Sequence, residues 1–150
     1  MQHPLGTASN PAFLAYVFSS LVLSLNLLSL WVSSGVARTR GGVAINPEDG
    51  AHYGVQVSEL DPPAVARYLR AHRNAEATIY PFLLLGLVYI LVGGSAWTAV
   101  PIFVVFVIAR IVHSVVYLRA IQPWRTIAFA TSLLAIFALM AAIPFVLLAA

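Results

Sequence analysis

The sequence predicts an all-α integral membrane protein, a bundle of four transmembrane helices. Three observations predict it. Of 150 residues, 61% are hydrophobic and only 9% charged, with a mean hydropathy of +0.90, which is membrane composition. The apolar residues gather into four runs, each able to reach the roughly 20 residues that cross a bilayer. Apart from Arg110, the arginines fall on or just beyond alternate connections between those runs, the asymmetry that sets membrane orientation.

The first helix is expected over about 11–36. No Lys or Arg precedes it, and its apolar run is too long for the core of a cleaved signal, so it reads as a true span. The connection that follows, about 37–62, is the only long one. It carries Glu48, Asp49, Glu59 and Asp61 and is punctuated by Gly41-Gly42, Asn46-Pro47, Gly50, Gly54 and Pro62-Pro63; a loop of this length is functional or disordered. The second helix is expected over about 63–92, a polar lead-in from Pro63 running into an apolar part from Ala77. Pro81 frees the carbonyl of Ala77 and predicts a kink. After the turn Gly93-Gly94-Ser95 the third helix spans about 96–118 and the fourth about 126–150. The whole chain, 1–150, is one membrane domain.

Orientation follows from the arginines. Arg38 and Arg40 lie in the first connection, with Arg67, Arg70 and Arg73 just beyond it, and Arg119 and Arg125 lie in the third. The positive-inside rule puts these two connections in the cytoplasm and both termini on the far side.

Composition also excludes. All 8 basic residues are arginine, whose planar fork suits carboxylate or phosphate. With the chain embedded in a membrane, the basic balance (pI ≈ 9.7) points to headgroups or an anionic cofactor rather than nucleic acid. With no cysteine there is no disulfide, thiolate metal site or protein thiol nucleophile; thiol chemistry here needs a borrowed sulfur. There is no GxSxG, P-loop, HExxH or glycine-rich dinucleotide turn. His52, His72 and His113 lack metal-ligand spacing, so no metal is expected.

The most informative stretch is Arg70-Ala71-His72-Arg73-Asn74 at the mouth of the second helix. Charges near hydrocarbon are costly and mark sites. Arg70, Arg73, Asn74 and Ala77 share a face by i, i+3, i+4, i+7 spacing, and Arg110, His113 and Tyr117 share one on the third helix. Arg110 lies eight residues before Leu118, about 12 Å along the axis. The two faces are at matched depth, and Arg125 and Thr126 open the fourth helix at the same surface, so three helices converge on one cationic patch. Plainer readings stand beside this. Arg110 is an ion-pair partner, of Glu76 in the first instance. Arg70 and Arg73 bind lipid phosphates, His72 is interfacial, His113 packs, and Arg38 and Arg40 set topology. Tyr89 and Trp97 belong to an aromatic belt.

The stretch from Arg70 to Asn74, with Ile79-Tyr80-Pro81-Phe82, Asn46-Pro47-Glu48-Asp49 and Ala109-Arg110-Ile111-Val112-His113-Ser114-Val115-Val116-Tyr117-Leu118, resembles the MAPEG superfamily, the membrane-associated proteins in eicosanoid and glutathione metabolism. The resemblance covers most of the chain and is strongest from about 46 to 125. It implies a homotrimer of four-helix subunits with glutathione bound between neighbours near the cytoplasmic surface. By matching position, Arg73, Asn74, His113 and Tyr117 contact glutathione, with Arg38 reaching it from the first helix. Arg70 and Arg110 hold the network, Arg125 and Thr126 sit at the thiol, and Asp49 is the loop carboxylate near Arg125. Three departures from the family pattern stand out. Its usual glutamate is Ala77 here, with Glu76 one place earlier, about 100° round the helix. The turn before Arg125 is one residue shorter. Phe129 replaces a tyrosine.

The residues suit that chemistry in their own right. Arginines match the two carboxylates of glutathione, and a cation with a hydroxyl donor, Arg125 and Thr126, favours a thiolate. The expectation is a membrane-embedded glutathione-dependent transferase or peroxidase acting on lipophilic electrophiles. The alternatives are a glutathione-dependent prostaglandin-endoperoxide isomerase and a non-catalytic lipid-binding helper. An endoplasmic reticulum or a bacterial inner membrane fits equally, with the site facing the cytoplasm.

Overall fold

The computed structural model describes residues 9–149. Four long helices carry the chain: α1 (Pro11–Arg40), α3 (Pro63–Leu91), α4 (Ala96–Leu118) and α5 (Trp124–Ala149). A short helix α2 (Pro47–Tyr53) and two short strands, β1 (Val43–Ala44) and β2 (Gln56–Val57), lie between α1 and α3. Ala150, expected at the end of the last helix, lies outside the described residues.

Local chemistry explains the ends. Asn10 caps α1, its Oδ1 accepting from the N–H groups of Ala12 (3.0 Å) and Phe13 (3.3 Å), with Pro11 at the first helical position. The helix continues to Arg40, past the expected end near Val36, because no breaker intervenes before Gly41-Gly42. Ser95 caps α4 by accepting from Trp97 N–H at 3.3 Å. α5 begins two residues earlier than expected, at Trp124. Pro123 C=O takes the N–H groups of Thr126 (2.9 Å) and Ile127 (3.1 Å), and Ile121 C=O takes that of Arg125 (3.2 Å). Pro81 lies within an uninterrupted α3.

The connection after α1 is built rather than loose. β1 and β2 pair in parallel, Val43 with Gln56 and Ala44 with Val57, and α2 is the crossover. Gly54, at φ +63°, ends α2 in the left-handed conformation that favours glycine. Gly50 sits so close to Val57 that an added Cβ would overlap its side chain. Arg38 donates from Nε (3.0 Å) and Nη2 (2.7 Å) to Asp61 Oδ1, tying the far end of the connection back to α1.

All four long helices are long and apolar enough to span a bilayer, with mean hydropathies of 1.9, 1.5, 2.3 and 2.4 in chain order. Large apolar side chains such as Phe18, Leu21, Leu134 and Phe145 cover their outer faces. In water these would form a continuous apolar patch; facing lipid they are the ordinary surface of a multi-pass membrane protein. α1 packs on α3 and α4, and α5 packs on α4 and α3, so α3 and α4 face each other across the middle of the bundle. On the side of the α3–α4 turn that middle is aromatic. Phe82 stacks on Phe106 (centroids 3.7 Å, 6° between planes) and meets Phe103 edge-on (5.4 Å, 76°), all three fully buried. Tyr89 closes this end against Gly94, where any Cβ would overlap its ring.

One face of α3 is left uncovered. Arg70, Arg73, Ala77, Tyr80, Leu84, Leu87 and Leu91 are all exposed, and their alternating steps of three and four trace one continuous seam along the helix.

Candidate functional site

The candidate site lies at the other end of the bundle middle. Arg110, on α4, is completely buried, and its Nη2 donates to Asn74 Oδ1 on α3 at 3.1 Å. Its Nε and Nη1 have no partner among the described residues. One turn on, His113 and Ser114 are buried, and His113 Nδ1 and Ser114 Oγ are also without partners. Buried polar atoms are nearly always paired, and each left unpaired costs on the order of 1–3 kcal/mol. Such a concentration around a buried cation is what a site for an anionic, hydrogen-bonding ligand looks like before the ligand's own groups are counted.

An aromatic line joins this core to the surface. The His113 ring lies 5.5 Å from that of Tyr117 and 6.1 Å from that of Phe129. The Arg125 guanidinium carbon sits 5.1 Å from the centre of the Tyr117 ring, within cation–π range. Arg125 is half-buried and Thr126 exposed. Asn74, Arg110, His113, Tyr117, Phe129, Arg125 and Thr126 therefore run continuously from the bundle middle to the start of α5.

Other expected site residues lie elsewhere. Arg70 and Arg73 are exposed on the uncovered face of α3, where neither makes an ion pair with a described residue. The expected pairing of Arg110 with Glu76 is not formed: Asn74 takes that place. Glu76 is held along its own helix, where Tyr80 donates to its Oε1 (3.1 Å) and His72 Nδ1 lies 3.4 Å from its Oε2. The reason is angular: residues 74 and 76 differ by about 200° round a helix, so only one can face α4. His72, read as interfacial, is thus the partner of Glu76.

Asp49 accepts from Asn46 Nδ2 at 3.0 Å and makes no ion pair with Arg125 within the chain. It lines a cavity of about 240 Å³ with Gly35, Arg38, Tyr53 and Val55. That cavity opens where α1 meets the β1–α2–β2 unit and holds none of the α4 or α5 site residues. Gln122 carries no motif yet touches both Arg125 and Thr126. It precedes α5, so no helical spacing marks it in the sequence. No cluster of His, Cys, Asp and Glu suited to a metal occurs among the described residues.

A four-helix membrane bundle with a buried arginine–histidine core opening toward surface arginines is the class that fold and site define. Residues 16–145 match the MAPEG family, and the chain belongs to that family. It is 39% identical over 126 residues to prostaglandin E synthase of Equus caballus, covering 83% of this chain and 82% of that one. It is 39% identical over 123 residues to prostaglandin E synthase of Homo sapiens (81% and 80%). To microsomal glutathione S-transferase 1 of Bos taurus it is 37% identical over 127 residues (80% and 81%).

Proposed function

We propose that this protein is a membrane-embedded, glutathione-dependent enzyme of the transferase and peroxidase type, acting on lipophilic electrophiles. The observation that carries the reading is Arg110, a fully buried cation with two of its three nitrogens unpartnered and no carboxylate in contact. The similarity to prostaglandin E synthases and to a microsomal glutathione S-transferase supports it. The donor set fits glutathione. Arg110, His113 and Asn74 offer hydrogen bonds to buried carboxylate or amide oxygens. Arg70 and Arg73 offer guanidinium forks at the mouth.

Glutathione supplies the sulfur nucleophile that a chain without cysteine lacks. Arg125 places a fixed positive charge where that sulfur is bound, and Thr126 offers a hydroxyl proton; both favour the ionised sulfur. Tyr117 lies within cation–π range of the guanidinium, and the Phe129 ring lies beside that of His113. The apolar outer faces of the helices deliver a lipophilic second substrate through the bilayer. Isomerisation of a prostaglandin endoperoxide is the second reading, favoured by the identity to prostaglandin E synthases.

The assembly is a homotrimer in this reading. The uncovered seam of α3 supplies the contact, and it brings Arg70 and Arg73 of one copy toward the site of the next. Asp49 and Arg38, with their cavity, complete the α5 end of a neighbour in the same way. The arginine-bearing connections face the cytoplasm, in an endoplasmic reticulum or a bacterial inner membrane.

The test is glutathione-dependent turnover of detergent-purified protein with chlorodinitrobenzene, cumene hydroperoxide and a prostaglandin endoperoxide in parallel. The substrate ranking separates the readings. Arg125→Ala is expected to lower turnover on the order of a hundredfold while glutathione affinity changes by less than about fivefold. No turnover together with no glutathione binding would leave a lipid-binding helper as the better description.

A further inference from the structure

A hydroxyl beside a sulfur helps only if its proton is free. Thr126 has one proton and two lone pairs, so its neighbours decide what it can give. Gln122 lies in the turn leading into α5. Its side chain is not needed to start that helix, because the carbonyls of Ile121 and Pro123 already take the N–H groups of Arg125, Thr126 and Ile127. It is engaged instead with side chains. With the amide turned to suit both neighbours, its oxygen accepts from Arg125 Nη2 at 2.8 Å and Nε at 3.2 Å, and its nitrogen donates to Thr126 Oγ1 at 3.2 Å. The reversed amide would set its NH₂ against the guanidinium, donor on donor, and would draw the Thr126 proton to its own oxygen. The orientation that satisfies Arg125 is therefore also the one that leaves the Thr126 proton unused. Tyr117 closes one face of the guanidinium, so Arg125 is gripped by a ring and by an amide.

We propose that Gln122 is a positioning residue of the glutathione site. Its amide joins Arg125 to Thr126 in one hydrogen-bond line, whose last member, the Thr126 hydroxyl, keeps its proton for the bound sulfur. Each bond in such a line polarises the next, so the guanidinium charge strengthens Thr126 as a donor as well as acting through space. This inference rests on the reading of Arg125 and Thr126 as the pair that faces the sulfur.

The test follows the ultraviolet absorbance of the glutathione thiolate in its binary complex with the full-length protein, against pH, with no second substrate present. Gln122→Glu keeps the length of the side chain and an acceptor for Arg125, but a carboxylate cannot donate to Thr126 and takes its proton instead. The midpoint of thiolate formation is expected to rise by roughly one pH unit, while the glutathione dissociation constant moves by less than about threefold. The added charge also acts on the sulfur directly, so the same substitution is made in Thr126→Val. There the line is already cut, and the shift caused by Gln122→Glu is expected to fall to less than about half, the coupling a double-mutant cycle reads. An unchanged midpoint in Gln122→Glu, or a shift of equal size with and without the Thr126 hydroxyl, overturns the line and leaves Arg125 at the sulfur. A wild-type protein that binds no glutathione overturns the functional reading and the line together.

Discussion

α3 and α4 meet twice across the middle of the bundle, once through Phe82, Phe103 and Phe106 and once through Asn74 and Arg110. The two meetings are only about two helical turns apart, yet they obey opposite rules. The aromatic one is closed: rings stacked and edge-on, fully buried, with no polar atom to satisfy. The polar one is equally buried but open in its bonding, with Arg110, His113 and Ser114 each leaving atoms unpartnered. The same two helices can thus pack a dry middle, and at one level they do not. The polar level costs stability that an all-apolar middle would not, and that cost is the ground for reading it as the candidate site.

The largest effect expected from breaking this contrast is on the aromatic side. Phe82→Ala should cost about 3–5 kcal/mol, read as a lowered midpoint of thermal unfolding in detergent, with glutathione affinity of the folded protein preserved. On the polar side Arg110→Met should weaken glutathione binding on the order of a hundredfold. Its melting point should hold or rise, since an apolar side chain of similar length removes an uncompensated buried charge. A steep loss of stability in that variant would make Arg110 a packing residue and erase the distinction. A smaller effect sharpens the boundary of the polar region. Glu76→Gln should change glutathione affinity by less than about twofold, because the carboxylate is occupied by His72 and Tyr80. The smallest effect is Ala120→Gly in the turn before α5. Ala120 sits at φ +58°, where a Cβ is unfavourable. Relief of that strain outweighs the extra freedom of glycine when unfolded and should stabilise by about 0.5 kcal/mol, with binding unchanged.

Much of this could be read from the chain. The four spans follow from apolar length, and the matched depth of Asn74 and Arg110 follows from counting residues along helices whose directions alternate. What counting along an axis cannot give is the angle at which two helices face. That is why Arg110 meets Asn74 rather than Glu76. The β1–α2–β2 unit was illegible for a different reason: two-residue strands are too short to show an alternation. Gln122 carries no charge and no motif, and its importance appears only once the start of α5 fixes where its amide reaches.

The bond from Arg110 to Asn74 also bears on how the protein enters a membrane. An arginine near the middle of a lone span costs about 2.5–3.5 kcal/mol at insertion, and α4 carries one. α3 and α4 are separated only by Val92-Gly93-Gly94-Ser95, so they can enter as a hairpin with the Asn74 acceptor already opposite the guanidinium. During synthesis α3 emerges first, and the helix that shields the charge is in place before the charge arrives.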